Sequence, residues 1–209
     1  MLTDLSLAQF ADQTAARSAT PGGGSVAAYL GELGAALGAM AARFTQGRKG
    51  FEEHEAALTA EIARLDGLRG RLQKLVDADA LSYDKVTTAY GLPKTTDADK
   101  AARKSAIEAA LKEAMGTPLG TCRLAVEALG VLESLATHVN TNLASDVAVG
   151  AYALGAAYRG AWVNVLINLA GLKDEVLRAR VLADGEDLGA RAHDLEERVS
   201  GLILQGLKA

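Results

Sequence analysis

Apolar residues recur at spacings of three and four through most of the chain, and the interruptions fall at glycine and proline clusters, so the pattern predicts helices joined by short loops. Residues 4–17 form a short first helix with Leu5, Leu7, Phe10, Ala11 and Ala15 on the side expected to cover the core. Pro21 and the run Gly22, Gly23, Gly24 mark a loop, because proline lacks an amide donor and glycine loses the most backbone entropy in a helix. Ser25 stands where an N-cap belongs, ahead of Val26, Ala27, Ala28 and Tyr29. In the helix that follows, Gly31, Gly34 and Gly38 strip one face so that another backbone can approach. Its apolar run over residues 26–42 is broken by Glu32 and falls short of the ~20 residues that cross a bilayer, which predicts a buried bundle helix.

The segment TQGRKG (residues 45–50) ends that helix, and residues 52–90 carry one long pattern. Its stripe runs Leu58, Ile62, Leu65, Leu72, Val76, Asp79, Tyr83, Val86, Tyr90. Gly91, Leu92, Pro93 and Lys94 close it, and Thr96 or Asp97 caps the next helix. Residues 101–135 continue the style, with a break expected at residues 116–118, where Pro118 kinks or restarts the helix. The polar patch HVNTNLASD (residues 138–146) precedes a helix over residues 143–170, and residues 173–205 close the chain as a charged amphipathic helix, read as scaffold or dimer surface.

Composition sharpens this into an all-α bundle of long, partly kinked helices with close glycine and alanine packing. Hydrophobic residues are 49% of the 209 positions but aromatics only 4%, so alanine, leucine, valine and glycine must build the core. One domain over residues 1–209 is expected at this length. Twenty-two basic residues against 26 acidic ones, with no basic block, disfavour nucleic acid as a partner. Cys122 is the single cysteine and reads as a packed small residue. With the absence of a basic, apolar leader at the start, it points to a reducing cytoplasm. His54, His138 and His193 show no i, i+4 pairing, which disfavours a zinc site.

Two carboxylates stand out. Asp79 interrupts an apolar stripe, and an ionised carboxylate there requires a partner, a raised pKa or a wet cleft, whereas Asp77 lies ~200° around the helix and is expected to face out. The bland alternative is a structural aspartate bonded to a neighbouring helix end. Asp146 shares a line with Val149, Ala153, Ala157, Gly160 and Asn164, putting a carboxylate and an amide on one small-residue face. The Gly22 to Ser25 loop offers free amides beside a helix N-terminus, or serves simply as a tight connection. Arg48 and Lys49 read as solvated helix-end cations.

The combination resembles the cyclodeaminase domain family of formiminotransferase-cyclodeaminase and its stand-alone relatives, the methenyltetrahydrofolate cyclohydrolases. The motifs that carry it are PGGGSVAA (residues 21–28), FTQGRK (44–49), LVDADALSY (75–83), LPK (92–94), NTNLASDVAV (140–149) and NVLINL (164–169), in this order along most of the chain. Departures fall at Thr20, Val139 and Tyr83. The resemblance implies an all-helical homodimer that acts on a tetrahydrofolate derivative, with no metal, no cofactor and no membrane or nucleic-acid partner. It implies cyclodeamination of 5-formiminotetrahydrofolate or hydrolysis of 5,10-methenyltetrahydrofolate, with Asp79 and Asp146 as acid and base in an order the sequence leaves open. By the same resemblance Pro21, Gly22, Gly23, Gly24, Ser25, Asn140, Asn142 and Asn164 contact the pterin or the one-carbon bridge, and Lys94 and Arg48 meet a glutamate or polyglutamate tail. The rival expectation is a non-catalytic dimeric scaffold or folate-binding module whose glycine face serves only packing.

Overall fold

A computed structural model describes residues 1–206, and the last three residues of the expected 1–209 domain lie outside that range. Six helices follow one another: α1 (Leu7–Ala15), α2 (Gly23–Thr45), α3 (Glu55–Tyr90), α4 (Asp97–Ala136), α5 (Ala144–Ala170) and α6 (Glu175–Gly206). Three-residue 3-10 turns precede α1, α3 and α5, and no strand occurs among the described residues. The all-α expectation is met.

The core is aliphatic, as the composition demands. Leu58, Leu65 and Leu72 of α3, Leu129, Leu132 and Leu135 of α4, and Leu154 and Val165 of α5 are fully buried around the alanines of α2. Helix α2 packs on both α3 and α5, and α6 lies across α4 and α5. Helices α2 and α5 run antiparallel and almost touch: a Cβ on Gly34 would stand 2.7 Å from the carbonyl oxygen of Gly150, and one on Gly150 would stand 2.9 Å from that of Gly34. Only glycine at both positions permits that approach. By length and composition α2, at 23 residues, could cross a membrane, but most of its apolar window is buried inside the bundle.

The expectations for α1 and for Pro118 are corrected, and those for the α4 cap and Cys122 are met. Helix α1 buries none of its residues; Ser6 caps it, and Phe10 rests on Tyr29 at 5.4 Å between ring centroids. Helix α4 is one element of 40 residues, with Pro118 buried inside it and no break at residues 116–118. Burial of Met115, Leu119 and Cys122 around the proline outweighs its missing donor. Thr96 caps α4 through a reciprocal bond with Asp99. Trp162 is a packing residue, seated where a side chain on Gly185 would begin. Cys122 is buried, and burial pushes its thiol up to about 12.

Candidate active site

Helix α2 begins three residues earlier than its sequence suggests, at Gly23, with Gly22 as an N-cap that has no side chain to accept from the first-turn amides. Ser25 therefore is not the cap. It sits fully buried in the first turn, and its hydroxyl turns toward α3, donating to the Val76 carbonyl at 2.9 Å and lying 3.1 Å from Asp79 Oδ2. The Ser25 amide donates to the same Oδ2 at 2.8 Å. Asp79 thus meets the positive end of α2 directly, and its second oxygen is left for another partner.

Both carboxylates of LVDADALSY are drawn into the structure, on different sides of α3. Asp79 is partly buried, and burial pushes its carboxyl above the ordinary 3.8, with the two Ser25 bonds drawing it partly back. Asp77, expected to face solvent, is also buried. It accepts from the Leu2 amide and, at 2.7 Å, from the Thr3 hydroxyl, because the N-terminal turn folds over that side of α3.

Asp79 opens into a cavity of about 430 Å³. Its lining includes Thr20 and Gly22 of the preceding loop, Gly23 and Gly24 of the first turn of α2, and Asn164 and Asn168, one turn apart on α5; the Asn164 amide packs beside Gly23. Both amides donate to the backbone of their own helix, Asn164 to Gly160 at 2.9 Å and Asn168 to Asn164 at 3.0 Å, which leaves their carbonyl oxygens for a ligand. Tyr83 and Tyr90 contribute rings that are about half exposed, 47% and 50%, and Leu111 and Ala114 form an apolar floor. A charged group, amide acceptors, a helix N-terminus and two aromatic faces converge on a space of the size that takes a drug-like or cofactor-like molecule.

The residues nominated from sequence divide into two groups. Gly22, Gly23, Gly24, Asp79 and Asn164 line the cavity, with Ser25 behind Asp79 and Pro21 buried within the loop, after a cis peptide bond. Asp146, Asn140, Asn142 and Arg48 lie at the other end of the α2–α5 pair. The Asn140 amide donates to the Thr45 hydroxyl at 3.1 Å, the Arg48 amide to the Thr45 carbonyl, and Asn142 donates its amide to the Asn140 side chain. Asp146 is in the first turn of α5, and the 18 residues to Asn164 put it roughly 27 Å away at 1.5 Å per residue. Within one chain Asp146 and Asp79 do not share a site. Lys94 is exposed in the loop after Tyr90 and does not line the cavity.

Asn168, Ser82 and Tyr90 were not nominated, yet all three line the cavity. The signal for Asn168 was present, since it follows Asn164 by four residues and so shares its face. Among the described residues, no cluster of three or more histidine, cysteine, aspartate or glutamate side chains is arranged to hold a metal ion.

A family model described as formiminotransferase-cyclodeaminase matches residues 6–187. Methenyltetrahydrofolate cyclohydrolase of Methylorubrum extorquens is 40% identical over 190 residues, which cover 91% of each protein. Formimidoyltransferase-cyclodeaminase of Rattus norvegicus is 37% identical over 179 residues, 86% of this chain but 33% of that protein, so the chain spans about a third of that bifunctional relative. The crystal structure of formiminotetrahydrofolate cyclodeaminase from Thermotoga maritima superposes over the whole of both chains with a TM-score of 0.89 at 32% identity.

Proposed function

The chain belongs to the formiminotransferase-cyclodeaminase family, and we propose that its Asp79 cavity is the site where the one-carbon bridge between N5 and N10 of tetrahydrofolate is opened or closed. The observation that carries this is the Asp79 carboxylate, with one oxygen held by the Ser25 amide and hydroxyl and the other facing a cavity flanked by two asparagine carbonyls. In the hydrolytic direction 5,10-methenyltetrahydrofolate is a cation, and water must lose a proton as its oxygen bonds to the bridging carbon. Asp79 takes that proton, and its negative charge offsets the cation beside it. The carbon–N5 bond then breaks, the hydroxyl proton leaves, N5 is protonated, and 10-formyltetrahydrofolate results with one net proton released.

The same residues serve the second reading, cyclodeamination, which the end-to-end likeness to the Thermotoga maritima enzyme favours. There N10 attacks the formimino carbon on N5 and its proton passes to the former imino nitrogen; that amine takes a second proton from the Asp79 carboxyl and leaves as ammonia, which gives the methenyl cation. Burial of Asp79 raises its proton affinity toward the range in which one group can both accept and donate. Gly22 to Gly24 and the two asparagines hold the pterin, Tyr83 and Tyr90 stack on it, and Lys94 meets the glutamate tail. No metal and no resident cofactor take part in this scheme.

The active form is a homodimer. Helices α2 and α5 leave Leu33, Phe44, Val149, Tyr152 and Val163 exposed at 42–60%, an apolar face on the very helices that bear the site. A two-fold axis across the middle of that face pairs each helix with its antiparallel copy, so the Asp146 end of one chain meets the Asp79 end of the other. Asp146, Asn140 and Arg48 then complete a site they cannot reach within their own chain. The assembly is read as cytoplasmic, with α2 a bundle helix and not a membrane span.

The test is to incubate the protein separately with 5,10-methenyltetrahydrofolate and 5-formiminotetrahydrofolate, following methenyl absorbance and ammonia. Loss of methenyl signal above the spontaneous rate marks the hydrolase, and ammonia release with methenyl formation marks the cyclodeaminase. If neither substrate changes, the catalytic reading fails and a scaffold or binding module stands in its place.

A further inference from the structure

Glu32 breaks the apolar run of α2, and the folate scheme gives it nothing to do. It is only 8% exposed, and among the described residues no group hydrogen-bonds its carboxylate. Its carboxylate oxygens reach the cavity solvent and are not enclosed; partial burial pushes its pKa up, with the Arg69 charge drawing it partly back. It faces a second cavity, of about 200 Å³, which shares no lining residue with the Asp79 cavity.

The walls of this cavity combine apolar and aromatic side chains with the polar Thr3 and Gln73. Phe10 and Tyr29 line it beside Leu5, Gln73 and Val76, and its roof is the N-terminal turn with α1. That roof buries no side chain of its own. It is fastened by the Leu2 and Thr3 bonds to Asp77 and by the Phe10–Tyr29 contact. Leu7 at its edge is 71% exposed, so the rim meets solvent.

We propose that this cavity is a binding site for a small organic cation, a primary ammonium with a short apolar tail, whose head meets Glu32 and whose tail lies against Phe10 and Tyr29. A lone carboxylate suits a cation with several N–H donors. It does not suit a hard metal ion, which takes six or more oxygens, and no cluster of metal-ligating side chains is found here among the described residues. A bare ammonium leaves most of the volume and both rings unused, whereas an alkyl tail covers apolar surface and aromatic rings favour a nearby cation.

The charged groups facing the site come from three elements. Arg69 of α3 opposes a cation, though its guanidinium is half exposed and turned toward Asp66. Asp77 of α3 is occupied by the N-terminal turn, and the Met1 amino group is paired with Asp4 at 2.9 Å. Glu32 is therefore the one carboxylate of this set left for a ligand. The site is independent of the folate reading.

The experiment is a calorimetric and NMR titration of the full chain with n-butylammonium, n-butanol and ammonium at fixed ionic strength. Butylammonium binds at least about tenfold more tightly than either control, because only it uses both the charge and the tail. Glu32→Gln reduces its affinity to that of butanol, Arg69→Gln tightens it, and affinity falls as the pH is lowered and Glu32 gains a proton. Equal binding of butanol and butylammonium, or undiminished binding by Glu32→Gln, overturns the proposal. Should Glu32→Gln lose its helical circular dichroism, Phe10→Ala decides. It alters a helix that buries nothing, and unchanged butylammonium affinity there overturns the proposal equally.

Discussion

The Asp79 carboxyl carbon lies 2.5 Å from the point where a Cβ on Gly24 would stand, so the acid occupies the volume of a missing side chain. The glycine run is thereby explained at one position by its neighbour and not by a turn. Gly24 lies inside α2, where glycine costs about 0.5–1 kcal/mol relative to alanine. The chain accepts that cost to bring a carboxylate onto the helix end.

Gly24→Ala is expected to expel Asp79 from its bonds with Ser25 and to lower kcat/KM by at least about a hundredfold, the scale of a lost general acid or base. Its thermal stability falls in spite of better helix propensity, by about 1–3 kcal/mol for overpacking. Gly67→Ala is the contrast: nothing lies within 4 Å of a Cβ there, and the exposed position gains about 0.5–1 kcal/mol. Paired thermal melts and steady-state rates check both.

Asp79→Asn should lower kcat by about 10²–10⁴ while leaving the fold intact. A carboxyl whose folded pKa is raised binds its proton more tightly in the native state. Its contribution to stability is therefore greatest at low pH and is lost as pH rises from 3.8 through the folded value. The neutral amide escapes that loss, so the variant's melting temperature at neutral pH should match or exceed the parent's. A lower one would show that the ionised carboxylate is a net structural asset.

Ser25→Ala removes both the hydroxyl bond that favours ionised Asp79 and the bond to Val76. The acidic limb of the kcat/KM profile, already expected above 3.8, moves to higher pH, and stability falls by about 1 kcal/mol. An unmoved limb, with reduced stability alone, would separate Ser25 from the chemistry.

Asp79→Asn and Asp146→Asn chains, each inactive alone, should regain activity when unfolded together and refolded. In a mixed dimer one composite site receives both native aspartates and the other neither. Random pairing then restores about one quarter of the parental rate. No recovery with normal dimers would place both aspartates in the service of a single chain.

How far the site was legible depends on which distances mattered. Asp79 announced itself as a carboxylate in an apolar stripe, because period and phase are properties of one helix. Asp77 was misjudged since its partners, Leu2 and Thr3, are some seventy-five residues away in sequence, and no helical wheel contains them. Ser25 had the residue type of a cap, but Gly23 and Gly24 tolerate helix, and the pull of Val76 and Asp79 gave its hydroxyl other work. At Pro118 local propensity favoured a break that tertiary burial overrode. Asp146 and Asn164 do follow one line along α5, yet facing the same way along a long helix is not proximity.

The near contact of Gly34 with Gly150 also orders events in time. The Asp79 cavity is lined by α2, α3, α4 and α5, and a chain synthesised from its N-terminus produces α2 and α5 far apart. Until α5 has left the ribosome, α2 carries its bare glycine face with only α3 and α4 to cover it. Such long-range pairing is paid in folding rate. A nascent chain halted before Ala144 would hold most of the bundle's mass and none of the α5 side of that cavity, leaving apolar helix surface uncovered until α5 arrives.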